Sequence, residues 1–260
     1  NAPLPPELED ALLHGTSIGG ARPKAAVQDE RGHWIAKFSS RTDRYDVVRF
    51  EYATMKLAEH CGLEVPETKL VEIADKRALL VRRFDRVPKD REYTRRLMLS
   101  ALSLLQLDDT EARLAGYPDF AEVLRQWSRD PGQDCAQLFR RMVFNMLVGN
   151  TDDHAKNHAA FWDGQRLALT PVYDLLPMPR SGQEGRQAMR VGLQGPAATL
   201  SNAYSEASRF GLLEEEAREI VEDLRTRFTD WRKHFETAGL QPREYERFAG
   251  TVIDSPVVLI

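Results

Sequence analysis

The stretch Asn150-Thr-Asp-Asp-His-Ala-Lys-Asn157, followed by Thr170-Pro-Val-Tyr-Asp174, decides how the rest of the chain is interpreted. Asp152 precedes Asn157, and a further carboxylate, Asp174, follows after a short interval. This order of carboxylate, amide and carboxylate suits phosphoryl transfer from a nucleotide, which needs a base near the acceptor hydroxyl and oxygen ligands for magnesium. Asp, Asn and His also form ordinary polar turns. Residues 150–157, which we call the octad, are therefore by themselves also compatible with a plain loop.

The surroundings of the octad favour a functional loop. His154 and Lys156 can neutralise phosphate or fix the loop through hydrogen bonds. Between residues 148 and 193 the helical pattern breaks into polar turns and short apolar runs, and residues 159–162 and 166–169 predict a hairpin. A long irregular segment inside a helical region is uncommon unless it has a function.

The N-terminal third offers a lysine and a glutamate at matching places. Residues 25–29 and 33–38 flank a polar turn and predict a hairpin with Lys37 on its second strand. The apolar period over residues 46–62 predicts a helix that carries Glu51. A strand lysine held by a helix carboxylate can contact the α- and β-phosphates of a nucleotide. A lysine on an exposed edge strand is otherwise unremarkable.

A small-residue turn precedes this hairpin. Gly19 and Gly20, close after Ser17, allow backbone amides to approach phosphates, and Arg22 and Lys24 add positive charge. The segment matches neither the G-x-G-x-x-G pattern nor the Walker A motif, so a plain turn stays open.

A change of pattern near residues 87–90 predicts the boundary between two lobes, residues 1–87 and 88–260. Before it, residues 68–73 and 78–84 predict strands, and the second strand ends at Arg82, Arg83 and Phe84. A kinase-like fold places its adenine-binding hinge there, although a buried strand end is the alternative interpretation. After the boundary, helices are predicted over residues 93–106, 120–128, 133–149, 201–211 and 214–238.

Composition sets broad limits. The chain has 260 residues, 42% hydrophobic and 29% charged, with a net charge of −4, so global charge gives no argument for nucleic acid or an anionic membrane. No apolar run approaches the roughly 20 residues of a membrane span, and a cytoplasmic location is expected. Cys61 and Cys135 are isolated, which predicts buried apolar residues rather than a disulfide or a zinc site.

With these segments in place, the chain resembles the HipA family of bacterial toxin kinases. The Asp-x-His-x-x-Asn order also looks like the catalytic loop of phosphoinositide kinases. The resemblance implies an α+β, bilobal protein-kinase-like fold with a small sheet-containing N-lobe and a mainly helical C-lobe. It rests on residues 17–24, 33–37, 50–52, 62–66, 81–86, 150–157 and 169–174.

The same resemblance implies a serine/threonine protein kinase that uses ATP and Mg²⁺. Asp152 would be the catalytic aspartate, with Asn157 and Asp174 as metal ligands. Ser17 matches the serine that family members autophosphorylate, and phosphate there would add negative charge to a phosphate-binding loop. The implied nucleotide-binding residues are Gly19, Gly20, Ala21, Lys24, Lys37, Glu51, Arg82, Arg83, Phe84, His154, Lys156 and Tyr173.

The family also implies partners. Its usual substrates are aminoacyl-tRNA synthetases, and its usual partner is a DNA-binding antitoxin, through which DNA contact would be indirect. No membrane contact is expected. Arg82 stands where many relatives carry an acidic hinge residue. The sequence also starts close to the phosphate loop, so we expect a short toxin, served by a separate small N-subdomain-like protein, or a truncated piece.

Two alternatives to a protein kinase stay open at this stage. A small-molecule or lipid phosphotransferase shares the nucleotide machinery and differs in the acceptor pocket. A non-catalytic nucleotide-binding regulatory module is the second alternative, although retention of Lys37, Asp152, Asn157 and Asp174 argues against it.

Overall fold

The computed structural model describes residues 22–40, 42–73, 76–89, 92–179 and 185–259. The N-terminal part of the described chain forms a four-stranded antiparallel sheet. Its strands are β1 Lys24–Asp29, β2 Gly32–Phe38, β3 Thr68–Ile73 and β4 Lys76–Arg82. They lie in the order β1-β2-β4-β3. The predicted hairpin is confirmed, since β1 and β2 pair around a turn that contains Gly32 at φ +139°.

Helix α1, Val47–His60, packs against β3 and β4, as the apolar period predicted. The Asp46 side chain caps its start by accepting a hydrogen bond from the Arg49 amide at 3.1 Å. Gly62, at φ +77°, takes the left-handed conformation that commonly ends a helix. Burial of an aromatic side chain such as Phe50 contributes about 2 kcal/mol to stability.

The predicted helix over residues 93–106 is wrong. Residues 86–100 form β5 Arg86–Lys89, β6 Glu92–Arg95 and β7 Leu97–Ser100, and within the predicted span only Ala101–Leu104 is α-helical, as α2. β5 pairs with β6, and β7 pairs with β8, Ala159–Trp162. Tertiary pairing with a distant strand here outweighs the local helical pattern. The lobe boundary at residues 87–90 falls within this strand region and stays a prediction.

The predicted hairpin after the octad is confirmed. β8 pairs with β9, Leu167–Leu169, and the two join β7 in a three-stranded sheet. The β8–β9 hairpin therefore connects the octad loop to the segment that contains Asp174.

Helices dominate the C-terminal part. The helices predicted over residues 120–128 and 133–149 are confirmed, while 201–211 is a short helix followed by a 3-10 turn, Ala207–Phe210. The stretch 214–238 is two helices rather than one. The break lets Phe235 pack against Phe50 of α1, with ring centroids 5.4 Å apart. The helices are α3 Tyr117–Trp127, α4 Pro131–Val148, α5 Leu200–Tyr204, α6 Glu214–Phe228, α7 Trp231–Thr237 and α8 Pro242–Tyr245.

One large apolar core joins α1 to the C-terminal helices. Cys61 and Cys135 are fully buried free thiols within it, as predicted, and burial raises their pKa values to about 12 and about 11. In the part of the chain that the structure describes, no helix is both long enough and apolar enough to span a bilayer.

Candidate active site

A cavity of about 660 Å³ is lined by residues from the four-stranded sheet, α1 and the octad loop. Every predicted site residue that the structure describes lines it. Ser17, Gly19, Gly20 and Ala21 lie outside the described residues. The predicted residues brought together are Lys24, Lys37, Glu51, Arg82, Arg83, Phe84, Asp152, His154, Lys156, Asn157, Tyr173 and Asp174.

Lys37 is the electrostatic centre of the cavity. Its Nζ donates to Glu51 Oε1 and, at 2.6 Å, to Asp174 Oδ1. The Lys37 side chain is only 15% exposed. Burial by itself would lower the pKa of Lys37, but the charges of Glu51 and Asp174 outweigh it and raise that pKa above its ordinary value. Lys37 is therefore a fixed cation that β2 and α1 hold in place.

Asp174 takes an unusual backbone conformation, with φ at +62°. Non-glycine residues in this left-handed region concentrate at functional sites. The Lys37 charge holds the pKa of the Asp174 carboxyl at about 2, so the side chain is ionised near neutral pH. Asn150 Nδ2 donates to the Asp174 backbone oxygen at 3.4 Å and to Asn145 Oδ1 at 3.0 Å. These contacts tie Asp174 to the end of α4.

The octad loop begins where α4 ends. Gly149 lies at φ +70°, and a Cβ there would come within 2.4 Å of the Val252 backbone oxygen, so a side chain would collide. Asn157, in the 3-10 turn Ala155–Asn157, donates from Nδ2 to the Asp152 backbone oxygen at 3.4 Å. This bond closes the loop and turns Asp152 and Asn157 toward the same cavity.

Lys156 and Tyr173 brace the loop from the side. The Lys156 ammonium pairs with Asp109 at 2.7 Å, and the Tyr173 hydroxyl donates to the Lys156 backbone oxygen at 2.8 Å. His154 lines the cavity. The Lys156 side chain is thus engaged with a surface carboxylate, while its backbone anchors Tyr173.

At the predicted hinge, the backbone continues the sheet and the arginine side chains bind carboxylates. The Arg83 amide donates to the His33 oxygen at 2.8 Å, and the Arg83 guanidinium forms two hydrogen bonds to Asp85, at 3.0 and 2.7 Å. Arg82 pairs with Glu67 at 2.9 Å. Phe84 lies against Tyr173, with ring centroids 5.9 Å apart. Phe84 therefore presents an aromatic ring to the cavity.

Sequence reasoning missed the apolar wall of the cavity. Ile35 and Val81 are register partners on β2 and β4, so their side chains share one face of the sheet. The alternation of the two strands carried enough signal to find them. Met98 and Leu176 also line the cavity, but they fall in a segment predicted as helix and in a loop without periodicity.

Asp153, which received no predicted role, is the buried centre of a hydrogen-bond network. Its side chain is 2% exposed. It accepts from the Tyr117 hydroxyl, from Asn145 Nδ2 at 2.7 Å and from His158 Nε2 at 2.9 Å. These partners belong to α3, to α4 and to the residue that follows the octad. Asp153 therefore fixes the loop whose neighbouring residue, Asp152, faces the cavity.

We expect Asp153→Asn to lower the free energy of unfolding by about 2–4 kcal/mol. The amide would turn an NH₂ group toward donors that now share a carboxylate. Urea unfolding measures the loss, with the exposed Asp163→Asn as the matched control. An equal, small effect of both substitutions would contradict a central structural role for Asp153.

Comparison with known proteins places this geometry in a family. Residues 16–232 match the family model described as the HipA-like C-terminal domain. The chain belongs to that family. The HipA resemblance drawn from the sequence is thereby confirmed.

Relatives of this HipA-like domain include named kinases. The chain is 29% identical over 251 residues to a Sinorhizobium fredii protein provisionally named kinase Y4dM, covering 85% of the chain and 58% of Y4dM. It is 27% identical over 142 residues to the serine/threonine-protein kinase toxin HipA of Shewanella oneidensis, covering 48% of the chain and 33% of that toxin. The chain thus spans about three-fifths of Y4dM and a third of that toxin.

Solved structures share the fold. HipA of Shewanella oneidensis, in complex with HipB and operator DNA, matches with a TM-score of 0.72 at 19% identity, covering 91% of the chain and 62% of that HipA. The Helicobacter pylori proinflammatory kinase CtkA matches with a TM-score of 0.56 at 14% identity, covering 91% of the chain and 96% of CtkA. The predicted α+β kinase-like fold is confirmed.

Proposed function

We propose that this HipA-like chain is an ATP- and Mg²⁺-dependent serine/threonine protein kinase that acts as the toxin of a toxin–antitoxin system. One observation carries the proposal: Lys37 bonds to both Glu51 and Asp174 in the cavity that Asp152 and Asn157 also line. A lysine, its helix carboxylate and a metal-binding aspartate are the parts that phosphoryl transfer uses to hold a nucleotide.

The cavity suits ATP in its size and in having both an apolar wall and a cationic part. Its volume of about 660 Å³ lies within the usual range of small-molecule sites. Ile35, Val81 and Met98 offer an apolar wall for a base. Lys24 and Lys37 are register partners on β1 and β2, so their side chains share a face and offer cations to phosphates.

Asn157 and Asp174 would hold Mg²⁺ through an amide oxygen and a carboxylate, the hard oxygen ligands that this ion prefers. The Asn157 Nδ2 bond to Asp152 leaves the amide oxygen as the ligand atom. In the described ranges, no group of three or more His, Cys, Asp or Glu side chains is arranged to hold a metal. Nucleotide phosphates and water would therefore complete the coordination. When bound, ATP supplies the γ-phosphoryl group and Mg²⁺ neutralises its charge.

The chain's own residues position and deprotonate the acceptor. Asp152 orients the acceptor hydroxyl and would accept its proton as the acceptor oxygen bonds to the γ-phosphorus and the bond from that phosphorus to the ADP oxygen breaks, with ADP as the leaving group. Lys37 binds the phosphates, and Glu51 keeps the ammonium aimed at them. Tyr173 and Asn150 hold the two loops at a fixed separation. These roles make catalysis a matter of positioning and charge.

The relatives support the acceptor and partner parts of the proposal. The Shewanella oneidensis relative is named a serine/threonine-protein kinase toxin, and its structure contains HipB and operator DNA. By analogy, this chain would phosphorylate a protein such as an aminoacyl-tRNA synthetase and bind a DNA-binding antitoxin in the cytoplasm. Autophosphorylation of Ser17 would switch it off by placing negative charge in the phosphate loop.

A labelling experiment tests the proposal. The purified chain is incubated with γ-labelled ATP, Mg²⁺ and a bacterial extract, and phosphorylated peptides are identified by mass spectrometry. We expect phosphate on Ser17 and on a serine or threonine of an aminoacyl-tRNA synthetase. Transfer only to metabolites or lipids would overturn the protein acceptor, and failure to bind ATP would overturn phosphoryl transfer itself.

A further inference from the structure

An arginine-rich surface lies beside the mouth of the cavity. We define the arginine edge as Arg95, Arg96, Leu97 and Arg129, all of which are exposed. The edge adjoins the cavity directly, because Met98, the next residue, lines it. The Arg96 amide also donates at 3.0 Å to the backbone oxygen of Asp85, a cavity residue.

The charge of the arginine edge is largely uncompensated. The nearby carboxylate of Asp85 is already bound to Arg83 and Arg86. Within the described residues, no carboxylate forms an ion pair with Arg95, Arg96 or Arg129, although Glu64 partly offsets the charge of Arg96. Partial burial of the Arg96 guanidinium, together with the neighbouring Arg129 charge, lowers the pKa of this otherwise exposed residue. This local positive excess stands on a chain whose net charge is −4.

The backbone beside these arginines is open to pairing. β7 lies at the end of the order β7-β8-β9, so one of its edges has no strand partner among the described residues. Leu97 is 55% exposed at the start of this strand. An unpaired edge with an exposed apolar side chain is a template for an extended peptide. β7 also contacts the turn Ala155–Asn157, so a peptide on it would lie close to the octad loop.

One arginine is already oriented for binding. The Arg96 guanidinium lies over the Phe161 ring, 3.3 Å from its centroid. Stacking of this kind restricts the side chain before a partner arrives, so less conformational entropy is lost on binding. The charged fork is thus held at the surface rather than free in solvent.

We propose that the arginine edge is the docking surface for the protein acceptor, and that it selects an extended segment in which acidic residues alternate with apolar ones. The assignment to the acceptor rests on the proposed kinase function. Acidic side chains would pair with the arginines, the backbone would add to the open edge of β7, and apolar side chains would cover Leu97. A nucleic acid fits less well, because its phosphates could pair with the arginines but would make no apolar contact with Leu97 and no strand pairing with β7.

Fluorescence anisotropy without ATP tests the surface directly. The probes are a labelled peptide of alternating Glu and Val, the same peptide with Lys in place of Glu, and a labelled oligothymidylate. We expect the acidic peptide to bind about tenfold or more tighter than either of the others. Equal or tighter binding of the basic peptide or of the oligonucleotide would overturn the proposal.

Charge reversal locates the binding. Arg95→Glu combined with Arg96→Glu is expected to weaken binding of the acidic peptide about tenfold or more. The matched control, Arg243→Glu, changes an exposed arginine of α8 outside the cavity lining and should leave binding unchanged. If the double variant fails to fold, Arg95→Gln alone, at an exposed position, keeps the test valid. Unchanged peptide binding in folded variants would overturn the docking surface.

ATP binding by the same proteins separates this inference from the proposed function. We expect equal ATP binding by the wild type, by the double variant Arg95→Glu, Arg96→Glu and by Arg95→Gln, because Arg95 and Arg96 do not line the cavity. Absence of ATP binding in the wild type would contradict the kinase proposal. Normal ATP binding together with charge-independent peptide binding would contradict only the arginine edge.

Discussion

Asp152→Asn is expected to reduce phosphoryl transfer about a thousandfold while ATP affinity and thermal stability stay unchanged. The substitution keeps the shape of the side chain and removes its ability to accept a proton. Asp152 is exposed to the cavity. In the described part of the chain its carboxylate accepts no hydrogen bond, so the fold should not depend on its charge. Initial rates with labelled ATP and a melting curve measure the two effects.

The matched control is Asp163→Asn, which makes the same chemical change in an exposed turn outside the cavity lining. Its transfer rate should equal that of the wild type. In cells, growth arrest on expression should disappear with Asp152→Asn and persist with Asp163→Asn. Arrest that survives Asp152→Asn would favour a non-catalytic regulatory module.

The parts of the candidate site whose place in the fold followed from sequence depend on local patterns or on the order of motifs. Lys37 and Glu51 fall on a hairpin and a helix whose periods are visible over short windows, so their elements were found from sequence. Asp174 lies far from Lys37 along the chain. The two were assigned to one site because the order of motifs resembles a known family, and the structure brings their side chains within 2.6 Å.

What sequence could not supply is the direction in which neighbouring side chains point. Asp152 and Asp153 are adjacent carboxylates in one polar loop, yet the first faces the cavity and the second is buried. Hydrogen bonds from Tyr117, Asn145 and His158, which come from three separate segments, hold Asp153 in the interior.

The strand β7 was missed for a related reason. Its pairing partner is β8, which lies about sixty residues away, so no local window contains the information that makes it a strand. Met98 was for this reason not predicted as a cavity residue, because its segment was assigned to a helix.

Lys37→Met is expected to lower the free energy of unfolding by about 3 kcal/mol at pH 8, in addition to abolishing phosphoryl transfer. The substitution leaves Glu51 buried, at 6% exposure, without its cation. Loss of the Lys37 charge should cost less stability at Asp174, because its side chain is 45% exposed and water can solvate it. Urea unfolding of the variant and the wild type gives the difference.

The same loss should shrink at pH 5, which identifies Glu51 as its source. Burial raises the pKa of Glu51 above its ordinary value of 4.5, and removal of Lys37 raises it further. A carboxyl with a raised pKa in the folded state favours folding at low pH, and this contribution is lost as pH rises through the folded pKa. The double variant Lys37→Met, Glu51→Gln should therefore regain most of the stability at pH 8 without regaining transfer. A loss that is equal at both pH values and is not rescued by Glu51→Gln would show that the buried pair does not carry the stability, and that Lys37 serves the nucleotide alone.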